Sequence, residues 1–230
     1  YYIEVSENRV MNTNLFNSVS IVFAEVGDEI NLLVQVTEKW YDWPIPFVEF
    51  SDRNFNVWSN FSFDPTRTNY GIYLFNYNLW GRNHTLKTSF IRGYNPAYGL
   101  EYRVPFLSPE SNYGLRAKAK YSSQSELWVE TLNDELQFYK DGNPRLIEKI
   151  EAEFTLTNRF NPFTIAEATI ITEQTNLGKS IIPNAQKYLL NGDSSLLVNQ
   201  LKVGIKHDTR DNIYFPLEGF YLEPSIALQH

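Results

Sequence analysis

Along most of this chain, hydrophobic and polar residues alternate with a period of two. In AYGLEYRVPF, Tyr98, Leu100, Tyr102, Val104 and Phe106 fall on one face, and Glu101 and Arg103 on the other. In GLRAKAKY, Leu115, Ala117, Ala119 and Tyr121 oppose Arg116, Lys118 and Lys120. In EKIEAEFTLT, Ile150, Ala152, Phe154 and Leu156 oppose Lys149, Glu151, Glu153, Thr155 and Thr157. In LVNQLKVGIK, Leu201, Val203 and Ile205 oppose Gln200, Lys202, Gly204 and Lys206. Successive side chains of a strand point to opposite sides, so each run predicts a strand with one apolar and one charged face.

Two architectures share that pattern. A soluble antiparallel sheet buries the apolar face and wets the other. A transmembrane barrel turns the apolar face to lipid and the polar face to a hydrated lumen. Several runs are about ten residues long, the length a tilted strand needs to cross a bilayer. The connections also alternate. Trp80–His84 and Leu107–Asn112 are short and turn-like, whereas WSNFSFDPTRTN and the stretch around TNLGKSIIPNAQKYLLNGDSS are long and polar or mixed. Tight turns on one side and longer loops on the other suit an outer-membrane barrel.

The first forty residues differ. In ENRVMNTNLFNSV, Val10, Leu15 and Phe16 share one face of a predicted helix that closes at Asn17-Ser18. SVSIVFAE and INLLVQVTE then read as strands joined by the turn VGDE. Together they form a small α+β unit that lacks its start. WYDWPIPF, rich in Trp and Pro, reads as a linker or the entry to the next domain.

Composition narrows the partners. Of 230 residues, 16% are aromatic, with 15 Tyr, 16 Phe and 5 Trp, a surplus that sheets, clefts and membrane interfaces all favour. The net charge of −7 and the absence of a basic run leave no electrostatic footprint for nucleic acid. There is no Cys, which removes disulfides, thiolate metal ligands and thiol nucleophiles. No apolar run reaches the ~18 residues of a transmembrane helix, a test to which barrel strands are blind. The chain begins at Tyr1 and shows no signal peptide, so a leader is expected to have been removed or to lie outside it.

No catalytic constellation emerges. Glu151 and Glu153 share a strand face and could serve a glycosidase, but Lys149 beside them favours a solvated charged face. His207, Asp208 and Asp211 could hold a metal or pair a base with an acid. The three histidines have no ligand spacing, and Asp beside Arg favours a turn tied by an ion pair. Gly81, Gly99 and Gly142 form no phosphate loop, and the sequons at Asn60 and Asn83 carry little weight. Trp58, Trp80 and Trp128 fit a sugar cleft no better than interfacial anchoring or packing. The expectation is therefore no enzyme, no cofactor and no metal site.

Taken in order, several segments resemble one family. RVMNTNLFNSVSIVF and INLLVQVTEKW are similar to the last helix and closing hairpin of a POTRA domain. PIPFVEFSDRNFNVW resembles a first barrel strand and the turn after it. GIYLFNYNLWGRNHTLKTSFIRG resembles a following hairpin, with Arg82 where many members carry Gly or Thr. GLEYRVPFL is similar to a strand ending in a Pro-aromatic step, and HDTRDNIYFPLEGFYL to a "D-RDN--P--G" segment midway through the barrel. The combination resembles the Omp85/BamA superfamily of outer-membrane barrels with POTRA domains, Bacteroidetes type. The VRGF-like lumen motif and the aromatic C-terminal residue of the last strand are absent.

That resemblance implies a fragment: the C-terminal part of a POTRA domain over 1–41 and the N-terminal half of a 16-strand antiparallel barrel over 42–230. It implies insertion and folding of β-barrel proteins into the bacterial outer membrane, with the POTRA part in the periplasm. Outer-membrane lipid, nascent barrel proteins and accessory lipoproteins would be the partners, and Tyr1–Glu38 would offer the periplasmic face. Phe47, Val48, Glu49, Phe50 and Ser51 would lie at the lateral seam and accept a client strand by β-augmentation. Pro44 and Pro46 would weaken pairing at the strand's start, or simply mark the linker. Asp208, Arg210, Asp211, Pro216 and Gly219 would build a structural turn. A translocation or two-partner secretion pore of the same superfamily is the alternative, and from another class a soluble β-sandwich that binds glycans.

Overall fold

The computed structural model describes residues 2–27, 29–51, 64–132, 135–140, 142–178, 193–213 and 215–230. It opens on helix α1 (Tyr2–Met11), which packs on the hairpin of β1 (Phe16–Val26) and β2 (Glu29–Glu38). The helix is shorter than its apolar spacing predicts. Asn14 takes a left-handed φ of 64° that ends it, so Leu15 lies outside and Phe16 begins β1. The two strands match the predicted hairpin, and Asp28 of the VGDE turn lies outside the described residues.

Among the described residues the main sheet contains ten strands, all pairing antiparallel. They are β3 (Asp42–Phe50), β4 (Thr68–Leu79), β5 (His84–Gly93), β6 (Ala97–Val104), β7 (Tyr113–Gln124), β10 (Ile147–Asn161), β11 (Thr164–Leu177), β12 (Ser195–Asp208), β13 (Tyr221–Leu222) and β14 (Ser225–Gln229). Each pairs with the next in this order, except that β13 and β14 both lie along the far side of β12. A separate hairpin, β8 (Leu127–Leu132) with β9 (Glu135–Tyr139), rises between β7 and β10. Strands that follow one another in the chain pair antiparallel, which makes the sheet a meander with the β8–β9 hairpin inserted.

Of the two readings of WYDWPIPF, linker or entry to the next domain, the structure takes the second: from Asp42 onward it belongs to β3, and Pro44 and Pro46 sit inside a strand. The sheet accommodates them through the direction of the backbone. Tyr77 N–H donates to Tyr41 O, and Ser51 N–H to Arg67 O. Alternation then turns the peptide groups of Trp43, Ile45, Phe47 and Glu49 to β4, and those of Pro44, Pro46 and Val48 away from it. No β3–β4 ladder bond is lost to either proline, as expected for an edge strand.

The sheet has two ends. The proximal end, beside the N-terminal unit, carries the turns after β4, β6, β10 and β12. The distal end carries the connections after β3, β5, β7 and β11. Two contacts hold the N-terminal unit there: Tyr41, at the threshold of β3, donates its hydroxyl to Leu15 O at 3.0 Å, and Asn12 Nδ2–H donates to Asp211 O at 3.2 Å.

Packing is sparse for a chain of this length. Among the described residues only Ile21, Ala97, Leu127, Leu146, Ile147 and Leu177 are buried apolar side chains. The last four form one cluster, with Tyr139 packed on it, beneath the β8–β9 hairpin.

Candidate functional site

Register carries the two-face pattern unbroken across the sheet. Leu100 pairs with Ala119, Ala119 with Ala152, Ala152 with Thr172, and, two residues along, Phe154 with Ile170 and Ile170 with Leu201. Leu201 pairs in turn with Leu228 of β14. Val48, Leu74, Phe90, Val203, Ile205 and Ile226 lie on the same face, and all are exposed.

Burial is inverted relative to a soluble sheet. On neighbouring rungs of β10 and β11, Thr155 and Thr169 are 1% and 6% exposed, while Phe154 and Ile170 are 48% and 56% exposed. Water would not tolerate so wide an apolar surface on a monomer, since such patches are ordinarily a few hundred Å² at most. A hydrocarbon solvent would.

The opposite face is polar and concave. A cavity of about 710 Å³ is lined from β4 to β12, by Lys87, Glu101, Arg116, Glu153, Thr169 and Lys202 among others, and by Thr13–Leu15 of the N-terminal unit. Three ion pairs cross strands on this face: Lys87 with Glu101 at 3.2 Å, Arg116 with Glu153 at 2.6 Å, and Lys149 with Glu173 at 2.8 Å. Thr155 and Thr169 share a hydroxyl contact of 3.0 Å, and Arg116 Nη2 donates to Thr155 Oγ1. Glu151 and Glu153 therefore belong to an ion-paired wall, with Lys149 on Glu151 at 3.3 Å, and form no separate acid pair.

Aromatic side chains mark both margins of the apolar face. Distally, Phe90 meets Tyr98 edge-on, and Tyr98 stacks on Tyr121 at 6.3 Å. Proximally, Trp80, His84 and Tyr102 make a chain of edge contacts, and Tyr113, Phe160 and Phe163 are exposed. Within β7, Tyr113 and Tyr121 bracket Leu115, Ala117 and Ala119. Eight residues at ~3.4 Å each span about 27 Å along the strand. Tilting leaves room for an apolar band on the order of the ~25 Å seen between aromatic girdles of outer-membrane barrels.

Of the residues expected at a seam, Phe47, Val48, Glu49 and Phe50 lie on the edge strand and Ser51 just beyond it. Among the described residues, β3 pairs with β4 alone. Phe47 stacks on Tyr73 at 4.6 Å on the polar face, and Glu49 and Ser51, like Phe47, spend their peptide groups on β4. Val48 turns its own outward, and the backbone of Phe50 likewise points away from β4.

The turn residues come together. Asp208 accepts from Arg210 Nε at 2.8 Å and Nη2 at 2.7 Å. Asp211 Oδ1 accepts from Leu217 N–H at 3.0 Å and Glu218 N–H at 3.2 Å. The N–H of Glu218, helped by those of Asn212 and Leu217, holds the Asp211 carboxyl below the ordinary range. Gly219 has φ 89°, and a Cβ there would lie 2.3 Å from Thr209 O, so only glycine fits. Pro216 sits in the unpaired stretch between β12 and β13. His207 contacts Thr164 Oγ1 at 2.9 Å, Asp208 turns to the other face, and among the described residues no cluster of potential metal ligands forms.

One site has no counterpart in the sequence patterns. Arg67 pairs with Glu126 at 2.9 Å, the two being 4% and 5% exposed at the side chain. Lys140 and the Tyr94 hydroxyl also contact Glu126, and Arg67 lies over the rings of Tyr94 and Phe138. The cluster ties the β8–β9 hairpin to the distal ends of β3–β5. Trp58 and Asn60 lie outside the described residues, as does the side chain of Trp128.

Together these features define a class: a curved antiparallel meander with an apolar, exposed convex face and a charged concave face. A solved structure of similar fold is BamA from Haemophilus ducreyi lacking POTRA domains 1-3, with a TM-score of 0.50 and 13% identity. The match covers 99% of this chain and 42% of that one, so the chain spans less than half the length of its structural relative. No family model matches the chain. No curated protein matches its sequence.

Proposed function

We propose that this chain forms part of an outer-membrane β-barrel of the Omp85 kind, whose full-length protein inserts and folds β-barrel proteins into that membrane. The supporting observation is the inverted burial of the sheet: apolar side chains face out between two aromatic rows, and ion pairs face a concavity. The shared fold with BamA agrees with it. Residues 1–41 would be the end of a POTRA domain on the periplasmic side, which makes the proximal turns periplasmic and the distal loops external.

The edge strand β3 would form the lateral seam. Its outward peptide groups at Val48 are available to an incoming client strand, while Pro44 and Pro46 supply carbonyls but no N–H. Augmentation would therefore start from the distal half of β3 and weaken toward the prolines. Nascent barrel proteins are the clients, and accessory lipoproteins would dock on the N-terminal unit.

Depletion of the full-length protein tests the reading. Levels of other outer-membrane barrels are expected to fall, and unchanged levels would reject the assembly role. Partition of the full-length protein into the soluble fraction without detergent would reject the barrel itself.

A further inference from the structure

The connection between β12 and β13 presents two large apolar side chains to the surroundings, Phe215 at 81% and Leu217 at 90% exposure. We infer that this loop is an interfacial membrane anchor, with Phe215 and Leu217 inserted at the boundary between headgroups and acyl chains of the proximal leaflet. The inference rests on the lipid-facing reading of the sheet.

Three observations carry it. First, the loop is braced at its base, so the exposure is built in. Asp208 grips Arg210, Asp211 takes the N–H groups of Leu217 and Glu218, Asn212 Oδ1 takes that of Phe215, and Thr209 N–H bonds Phe220 O. Second, the loop continues the apolar face. Phe220 packs on His207 at 5.3 Å, and Leu222 pairs with His207, in line along β12 with Val203 and Ile205. Third, its setting has the chemistry of a membrane interface. Trp80, Phe160 and Phe163 are exposed at the same end, the residue types that settle at the headgroup level. A protein partner is the other possible occupant, and the test separates the two.

The 230 residues contain no cysteine, so a spin label can be placed at one site, with any cysteine elsewhere in the full-length protein changed to serine. Labels would go at Phe215→Cys, Leu217→Cys, the mid-face Ile170→Cys and the proximal-turn Glu110→Cys. The full-length protein would be reconstituted in phosphatidylethanolamine–phosphatidylglycerol vesicles, and accessibility to oxygen compared with that to a water-soluble nickel chelate. The expected oxygen-to-nickel ratio at 215 and 217 is several-fold above that at 110 and below that at 170. If 170 favours oxygen while 215 and 217 match 110, the anchor is refuted and the barrel reading stands. Labels at 215 and 217 that are shielded from both reagents would mean a protein cover and would also refute it. If 170 favours nickel, the lipid-facing reading itself fails.

Discussion

The hydroxyls of Thr155 and Thr169 meet at 3.0 Å across β10 and β11, buried on the polar face, while the apolar pair on the next rung, Phe154 and Ile170, stands exposed. One step along the ladder reverses both chemistry and burial. Removing the Thr155 hydroxyl takes from the buried Thr169 hydroxyl its partner, at a cost of ~1–3 kcal/mol, whereas removing that of Thr169 leaves Thr155 the Arg116 donor. Thr155→Val should destabilise the full-length protein by about that amount and Thr169→Val by less, with the double variant below their sum. A double-mutant cycle from denaturant unfolding in detergent checks this.

A charge on the outer face should be costly only if that face meets lipid. Ile170→Lys is expected to cost ~2–4 kcal/mol, the range for basic residues near the middle of a barrel's lipid face. Glu167→Gln, on the concave face of the same strand, should change little. The folded, heat-modifiable fraction on a gel separates the two, and equal tolerance would count against the membrane reading.

Arg67 and Glu126 form a buried pair, and removal of one partner strands the other. Arg67→Met should loosen the β8–β9 hairpin by ~3–5 kcal/mol, reduced to the extent that Lys140 still neutralises Glu126. Amide exchange in Leu127–Leu132 and Glu135–Tyr139 should accelerate, while Ile150–Leu156 stays protected.

Asp211 lies beyond the strands, and its carboxyl is held below its ordinary value by backbone N–H groups. A carboxyl with a depressed folded pKa contributes fully above its unfolded pKa, and the contribution disappears as pH falls through the folded one. The loop should thus keep its order from neutral pH down past the ordinary aspartate value of ~3.9 and loosen only below it. The amide resonances of Leu217 and Glu218 report that titration, and Asp211→Asn should abolish it.

Much of the sheet was legible in the sequence because a period of two is local information. The alternation assigned Ile150–Leu156 and Leu201–Ile205 to their faces, and the structure keeps those assignments. HDTRDNIYFPLEGFYL could be read as a turn because Asp, Arg and Gly have short-range backbone chemistry there. Local pattern misjudged one boundary and left another open. Leu15 and Phe16 continue the helical spacing but follow the left-handed Asn14, and Pro44 and Pro46 suit a linker and a strand entry alike until pairing with β4 shows which way the peptides turn.

What the sequence could not settle was which face is inside, since alternation is the same whether the apolar side meets a core or lipid. Tertiary structure decided it, because only the curvature of ten paired strands buries Thr155 and exposes Phe154. The Arg67–Glu126 pair is equally non-local: 59 residues separate its members, and a contact made by loop closure leaves no period to read. Face membership belongs to the sequence, and inside and outside belong to the fold.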